Sequence, residues 1–165
     1  MALLKVEEVR RTAEQALVRA GVPQHIAAVQ VDLWLDAELR GVPSHGLLRL
    51  ERLVERIGKG LADTHATGAQ EWRGAGFLAV DGQNGLGPIV ANAALERIVP
   101  RARETGIAVA AVGNSQHIGM LAWYAERVAR GGQVAIVLST SEALVHPWGG
   151  RKALLGTNPI SIGIP

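Results

Sequence analysis

The sequence contains no cysteine. This absence excludes a disulfide framework, a cysteine-based zinc site and catalysis by a thiol, and it is compatible with a reducing cytoplasm. Aromatic residues are also scarce, with four Trp, one Tyr and one Phe in 165 residues, so a platform for stacking nucleic-acid bases is not expected. The net charge is only +2 and the basic residues are scattered along the chain, which argues against a nucleic-acid partner.

Long hydrophobic runs are missing as well. An uncharged run at residues 107–125 contains Asn114, Ser115, Gln116 and His117, which a membrane span would rarely carry together. The N-terminus becomes charged at Lys5, too early for the apolar region of a signal peptide. We therefore expect a cytoplasmic protein that does not enter a membrane. The hydrophobic content of 48% is sufficient for a globular core.

Three helices are predicted in the first part of the chain. Apolar residues recur at the helical period over residues 6–20 and 23–39, and a third helix follows Ser44, a plausible N-cap. Glycines at or near the ends of these patterns are typical helix stops. The third helix would place its core stripe at Leu47, Leu50, Val54 and Ile57.

Strands and helices alternate after a polar segment at residues 61–76. The runs "FLAVDG", "GIAVAAVGN" and "VAIVLST" read as strands, the latter two buried on both faces, and a last strand lies within "GTNPISIGIP". Helices are expected at residues 88–104, where Pro100 should kink or shorten the helix, and at 118–129. The fold class is therefore α/β, with an N-terminal helical layer (1–76) and a mixed α/β sheet with some parallel pairing (77–165).

A glycine-rich connection, "DGQNGLGP", follows the first predicted strand and opens a helix. A Rossmann dinucleotide site requires G-x-G-x-x-G at this place, but the glycines are Gly82, Gly85 and Gly87, and the position three after Gly87 is Val90. The fingerprint therefore fails. These glycines are better suited to a tight turn and a close approach of the helix, so the sheet is expected to be non-Rossmann.

The histidines do not form a short metal-ligand pair. No H-E-x-x-H or similar motif is present, so no metal site is predicted from the spacing of His25, His45, His65, His117 and His146. Ser115 lies two residues before His117, but no G-x-S-x-G elbow surrounds it, so nucleophilic catalysis is not indicated.

The stretch "GVPSHGLLRL" places His45 four residues before Arg49, which on a helix would bring both over one patch of surface. A histidine can transfer a proton near neutral pH, and a guanidinium can bind a carboxylate with two parallel hydrogen bonds. This pair suits redox chemistry on a 2-oxo or 2-hydroxy acid, although an ordinary helix surface would look the same. Gly46 favours a site, because a glycine weakens a first helical turn unless something approaches closely.

Two further segments carry polar groups at the ends of predicted elements. His117, in "GNSQHIG", lies between a predicted strand and the next helix, at the kind of strand end where α/β proteins bind ligands. A histidine that caps the helix would fit equally well. Thr157 and Asn158 offer hydrogen-bonding groups in the turn "LGTNPI", where Pro159 restricts the backbone.

Five segments in order, "RGVPSHGLLRL", "VDGQNGLGP", "GNSQHIG", "HPWGG" and "LLGTNPISIGIP", make the chain resemble the type 2 malate/L-lactate dehydrogenase family. The family includes ureidoglycolate dehydrogenase, sulfolactate dehydrogenase and diketogulonate reductase. The resemblance implies an oxidoreductase that interconverts small 2-oxo and 2-hydroxy acids with NAD or NADP, on a fold that is not a Rossmann fold. It also implies a homodimer.

The resemblance further implies roles for particular residues. Ser44, His45 and Arg49 would line the substrate site, with His45 as proton donor or acceptor and Arg49 binding the carboxylate. His117 would be a second catalytic residue that faces the substrate and the nicotinamide. Ser141, Thr157 and Asn158 would lie near the cofactor or the site wall. The resemblance thus assigns residues 1–76 to the substrate side and residues 77–165 to the cofactor side.

The chain departs from the family pattern at several positions. Members often have asparagine where this chain has Gln116, an aromatic residue where it has Leu53, and Asn-Ser-Pro-Pro where it has "STSEAL" with Glu142. The family pattern continues well beyond residue 165, into the aspartate that partners the first histidine and most cofactor contacts. The chain therefore reads as the N-terminal half of the pattern, and an unpaired sheet edge and an uncovered apolar face are expected.

Two other functions remain open on the sequence. The chain could be a truncated, non-catalytic protein that serves assembly or binding. It could also be a hydrolase that uses His45 or His117 as a base, which a dependence on a nicotinamide cofactor would exclude.

Overall fold

The computed structural model describes residues 3–165 of the chain. These residues form two compact units, one ending at Gly119 and the other spanning Met120–Pro165. The predicted segments 1–76 and 77–165 were divided where the sequence pattern changes, whereas the compact units are divided after Gly119. They remain a prediction about which part of the chain serves the substrate and which serves the cofactor.

The first unit opens with the predicted helices. Helices α1 and α2 pack against each other, and Ala13, Leu17 and Trp34 are buried. An ion pair between Arg10 and Asp32 also joins α1 to α2. The bounds of the three helices are α1 Val6–Arg19, α2 Gln24–Leu39 and α3 Leu50–Gly58.

The start of the third helix differs from the prediction. Pro43–His45 and Leu47–Arg49 form two short 3₁₀ turns, and the α-helix begins only at Leu50. Ser44 makes no capping hydrogen bond, so its assignment as an N-cap is wrong. Leu53, which lies outside the predicted stripe, is the buried residue of α3. The residues of the predicted stripe are half-buried: Leu47, Leu50, Val54 and Ile57.

A three-stranded sheet completes the first unit. Strand β2 (Phe77–Asp81) pairs antiparallel with β1 (Ala69–Trp72) and parallel with β3 (Val109–Gly113). Helix α4 (Gly87–Thr105) makes the crossover between the parallel strands and buries one face of the sheet. The cluster at this contact consists of Leu78, Val80, Val90 and Ala94. Parallel pairing and a helical layer confirm the predicted fold class, whereas β1 lies in the polar segment 61–76, for which no strand was predicted.

Two predictions for this sheet differ from the structure in detail. Helix α4 continues through Pro100 to Thr105 and is not shortened, so of the two predicted effects of Pro100 only a kink stays a prediction. Strand β3 is not buried on both faces, because only Ala110 packs against the α4 cluster while Val109 and Val112 are exposed. The strand lies at the edge of its sheet, so an apolar sequence alone does not provide cover.

The second unit contains one helix and one strand pair. Helix α5 (Ala122–Arg130) begins later than the predicted residue 118, and β4 (Ala135–Leu138) pairs antiparallel with β5 (Ile160–Gly163). Helix α5 packs on one face of this pair. The other face is exposed, contrary to the predicted burial of "VAIVLST", and it carries Ile136, Leu138, Ile160 and Ile162.

Candidate active site

The turn that carries His45 is held by a carboxylate from α2. The backbone N–H of Leu47 donates a hydrogen bond to Glu38 Oε1 at 2.8 Å. A Cβ atom on Gly46 would lie 2.5 Å from Glu38 Oε1 and 2.9 Å from its Cγ. Glycine leaves room at this position for the Glu38 side chain, which would have to shift to accommodate a larger residue. This contact explains the glycine that the sequence places after the histidine.

Ser44, His45 and Arg49 are brought together by the two 3₁₀ turns. Arg49 Nε donates a hydrogen bond to the backbone oxygen of Ser44 at 2.7 Å, and Ser44 Oγ lies 3.0 Å from His45 Nδ1. The bond through Nε orients the guanidinium plane and leaves both terminal amino groups of Arg49 available to other partners. A guanidinium fixed in this way can bind a carboxylate with two parallel hydrogen bonds.

His117 lies in the loop after β3, against the start of α4. A Cβ on Gly87 would overlap the backbone carbonyls of Gln116 and His117, so this glycine allows the loop to approach the helix. The glycines of the failed Rossmann fingerprint thus make close packing contacts, as the sequence suggested. Asn114 enters the loop with a φ of 51°, a left-handed conformation that asparagine tolerates better than most residues.

The protonation pattern of His117 follows from one hydrogen bond. The backbone N–H of Gly119 donates to His117 Nδ1 at 3.1 Å, so Nδ1 is the acceptor and the neutral ring carries its proton on Nε2. His117 is therefore a hydrogen-bond donor through Nε2. The ring centroids of His45 and His117 are 5.5 Å apart, with the ring planes inclined by 44°. The structure thus places the two predicted catalytic histidines side by side.

Burial and positive charge favour the neutral form of both histidines. Burial, followed by the charges of Arg49, His45 and Arg52, lowers the pKa of His117 from 6.5 to about 4. Burial and then Arg49 lower the pKa of His45 as well. Both effects disfavour the cationic ring, although more than a third of the His117 surface is open to solvent, which weakens them. Near neutral pH the site therefore combines two neutral imidazoles with guanidinium groups.

The three residues implied at the cofactor form a cluster in the second unit. Ser141 Oγ accepts a hydrogen bond from the backbone N–H of Thr157 at 2.8 Å, and the two hydroxyl oxygens are 3.2 Å apart. Asn158 Oδ1 accepts from the backbone N–H of Ser141 at 3.1 Å. A Cβ on Gly156 would come within 2.6 Å of Asn158 Oδ1 and of the Ser141 carbonyl, so a glycine is needed for the cluster to close. The cluster is exposed and neutral, which suits the ribose or carboxamide of a nicotinamide nucleotide.

Sequence reasoning missed two residues that support this site. Glu38 holds the His45 turn, and its only signal in the sequence is the glycine at position 46. Arg56, on the last turn of α3, donates from Nε to Gln116 Oε1 at 2.7 Å, next to His117. Neither residue stands in a recognisable motif. Glu38 acts on a turn nine residues later, and Arg56 acts on a residue 60 positions away.

Neither a metal site nor a membrane-spanning helix is present within residues 3–165. Within this range no group of three or more His, Asp or Glu side chains could hold a metal ion. In the same part of the chain, no helix is both long and apolar enough to span a membrane.

Comparison with known proteins places these features in a family. A sequence profile described as "Malate/L-lactate dehydrogenase" matches residues 4–165. The chain is 39% identical over 166 aligned residues to a (2R)-3-sulfolactate dehydrogenase (NADP(+)) from Chromohalobacter salexigens, covering 99% of this chain and 49% of the relative. It is 36% identical to a malate dehydrogenase from Pyrococcus abyssi, covering 92% of this chain and 42% of the relative.

Solved structures agree with the sequence matches. A dehydrogenase from Sinorhizobium meliloti superposes with a TM-score of 0.96 at 51% identity, over 99% of this chain and 48% of that protein. Malate dehydrogenase from Pyrococcus horikoshii superposes with a TM-score of 0.93 at 33% identity, over 99% of this chain and 47% of that protein. The chain spans about half the length of the relatives it matches. It belongs to the malate/L-lactate dehydrogenase family.

Proposed function

We propose that the protein is an NAD(P)-dependent oxidoreductase that interconverts a small 2-oxo acid and the corresponding 2-hydroxy acid. The observation that carries the proposal is the His45–His117 pair beside Arg49, with ring centroids 5.5 Å apart. Relatives named for malate, sulfolactate and ureidoglycolate support this class of substrate. Their names include both NADP(+) and NAD(+), so either nucleotide is compatible with the proposal.

The proposed chemistry assigns one task to each group. Arg49 binds the substrate carboxylate through its terminal amino groups, and Ser44 supports His45 by the contact at Nδ1. His117 donates a hydrogen bond from Nε2 to the carbonyl or hydroxyl oxygen. Protonated His45 gives a proton to that oxygen during reduction, and neutral His45 takes it back during oxidation. When bound, the nicotinamide supplies or accepts the hydride at the adjacent carbon, and we assign Ser141, Thr157 and Asn158 to its binding.

The lowered pKa of His45 has a consequence for the direction of the reaction. A histidine with a pKa below 6.5 is largely neutral at neutral pH, and it is then ready to accept the proton of a hydroxy acid. We therefore expect oxidation of the 2-hydroxy acid to be favoured as the pH rises through the pKa of His45, and reduction to be favoured below it. A cytoplasmic homodimer is part of the same proposal.

The test is a spectrophotometric assay of NADH and NADPH oxidation with a panel of mono- and dicarboxylic 2-oxo acids. We expect His45→Ala to reduce kcat by about 100- to 10,000-fold, the range for loss of a general acid–base group. Arg49→Lys keeps the charge but removes the two parallel N–H donors of the guanidinium, so it should act mainly on KM for the acid. His25→Ala is the matched control, because His25 is an exposed histidine on α2. Equal activity of His45→Ala and the parent protein would contradict the proposal.

A non-catalytic role in assembly or binding is the alternative. Titration of the 165-residue chain with NADPH and NADH, followed by nucleotide fluorescence, separates the two functions. Tight binding that Thr157→Ala weakens supports the oxidoreductase. A stable oligomer that binds neither nucleotide supports the alternative, and sedimentation velocity measures that oligomeric state.

A further inference from the structure

We propose that Gln116 is a positioning residue that sets the place of the His117 ring by fastening its loop to α3. Its side-chain oxygen Oε1 accepts a hydrogen bond from Arg56 Nε at 2.7 Å. Its side-chain nitrogen Nε2 donates to the backbone oxygens of Leu61 at 2.7 Å and Asn84 at 3.2 Å. The role for catalysis rests on the proposed function of His117, whereas the effect on the ring itself does not.

The hydrogen-bonding capacity of the Gln116 amide is well matched to these partners. Both hydrogens of Nε2 have an acceptor, and Oε1 has a charged donor. The backbone N–H of Gln116 also donates to the Gly85 oxygen at 2.9 Å, so main chain and side chain hold the same loop. A residue joined at four points restricts the position of its neighbour, and the neighbour is His117.

Other side chains cannot reproduce this arrangement. Asparagine is one methylene shorter, so it cannot reach Arg56 and both backbone oxygens from the same backbone position. Glutamate could accept from Arg56, but it would present an oxygen without a hydrogen to two carbonyl oxygens.

Helix α3 connects the Arg56–Gln116 contact to the candidate active site. Arg56 lies on the last turn of α3, and Arg49 is the residue that precedes α3 at its start. The bond between Arg56 and Gln116 therefore fixes the His117 loop relative to the helix that directly follows Arg49, the proposed carboxylate-binding residue. A displacement of about 1 Å in a reacting group can reduce a rate about 100-fold, so the position of this loop matters for the proposed reaction.

Nuclear magnetic resonance on the 165-residue chain tests the contact without any activity. Long-range ¹H–¹⁵N spectra of the histidine rings report the tautomer and the environment of His117. We expect Gln116→Glu and Gln116→Asn to shift the His117 ring resonances, while Gln24→Asn leaves them unchanged. Gln24 is the matched control because its side chain makes an exposed hydrogen bond to Glu14 at 2.9 Å. Unchanged His117 resonances in both Gln116 variants would overturn the proposal.

A double-mutant cycle separates positioning from a general loss of stability. Arg56→Lys and Gln116→Asn should each shift His117, and the double variant should shift it by less than the sum, because both remove the same bond. Additive shifts would contradict the proposed link. The Tm of each variant identifies any that fails to fold. If the Gln116 variants fail to fold, the shift of the His117 ring resonances in Arg56→Lys, a substitution at a half-buried position, tests the contact alone.

Kinetics add the consequence for the reaction. If the oxidoreductase assay gives activity, Gln116→Glu should lower kcat about 10- to 100-fold, with little change in KM for the nucleotide. A kcat equal to that of the parent would contradict the positioning role. If the protein has no such activity, the proposed function fails, and the resonance shifts alone still decide whether Gln116 positions His117.

Discussion

His117 illustrates how a single side chain acquires its chemistry from its surroundings. The Gly119 N–H fixes which ring nitrogen carries the proton, and burial together with nearby arginines keeps the ring neutral. A neutral imidazole is a good hydrogen-bond donor and a poor proton donor. Within the proposed function, this property suits His117 to binding the substrate oxygen, and proton transfer is assigned to His45.

The charge of Arg49 should be visible in the titration of His117. A positive neighbour lowers the pKa of a histidine, so its removal in Arg49→Met should raise the midpoint from about 4 towards 6.5. Titration of the His117 ring resonances from pH 3 to 8 measures this midpoint in the parent protein and in the variant. Arg19→Met, at the exposed end of α1, should leave the midpoint in place. A lower midpoint in Arg49→Met would contradict the assigned electrostatics.

The same shift links His117 to stability. In the folded state its pKa is about 4 and in the unfolded state about 6.5, so between these values the unfolded chain binds more protons. The contribution of His117 to the free energy of unfolding is fully present above about pH 6.5 and is lost as the pH falls to about 4. We expect the free energy of unfolding, measured with urea, to fall more steeply across this window in the parent protein than in His117→Gln. Parallel curves would contradict a depressed pKa.

At the scale of elements, the turn between α2 and α3 depends on one close contact. Gly46→Ala would force the Glu38 side chain away and break its bond to the Leu47 N–H, so we expect a loss of about 1–3 kcal/mol in the free energy of unfolding. Gly58→Ala is the control, since nothing lies within 4 Å of its added methyl group. It should be neutral or stabilising by up to about 1 kcal/mol.

The clash can be tested by removing its partner. In a Glu38→Ala background, Gly46→Ala should cost much less than in the parent protein, because the methyl group then has room. Equal costs in both backgrounds would show that the glycine is needed for another reason. Denaturant unfolding of the four proteins gives the coupling directly.

Local sequence predicted the elements better than their environment. The helical period gave α1 and α2 closely, and the "FLAVDG" run gave β2, because these signals lie within single elements. The burial of β3 and β4 was predicted wrongly, because an apolar run indicates a need for cover but not its presence. The motifs identified His45 and His117 as candidates. Their separation of 5.5 Å and the support from Glu38 and Arg56 depend on tertiary contacts that no motif encodes.

At the scale of the whole molecule, the chain divides its proposed functions between two compact units. The first contains the histidine pair and Arg49, and the second contains the Ser141, Thr157 and Asn158 cluster. Each unit also exposes apolar strand residues, such as Val112 in the first and Ile162 in the second. The matched relatives are about twice as long as this chain. A stability measured on the 165-residue chain therefore cannot be compared directly with the stability of a full-length relative.

The exposed face of β4 and β5 leads to a prediction about neighbouring positions in one strand. Ile162 is 61% exposed opposite Ile136, whereas Gly163 faces α5, where a Cβ would overlap the Ala125 carbonyl. Successive residues of a strand point to opposite faces, so their substitutions should differ sharply. Ile162→Thr keeps a β-branched side chain and loses part of one cross-strand pair, a cost below about 1 kcal/mol.

Gly163→Ala must push α5 away from the strand pair, which we expect to cost about 1–3 kcal/mol. Thermal unfolding of the 165-residue chain, monitored by circular dichroism, compares the two variants. If Ile162→Thr proved the more destabilising, the face that carries Ile136 and Ile162 would have to be covered in solution. A small loss of stability in Ile162→Thr and a large loss in Gly163→Ala would agree with the structure. In the described residues of the second unit, α5 packs on one face of the strand pair and the other face is exposed.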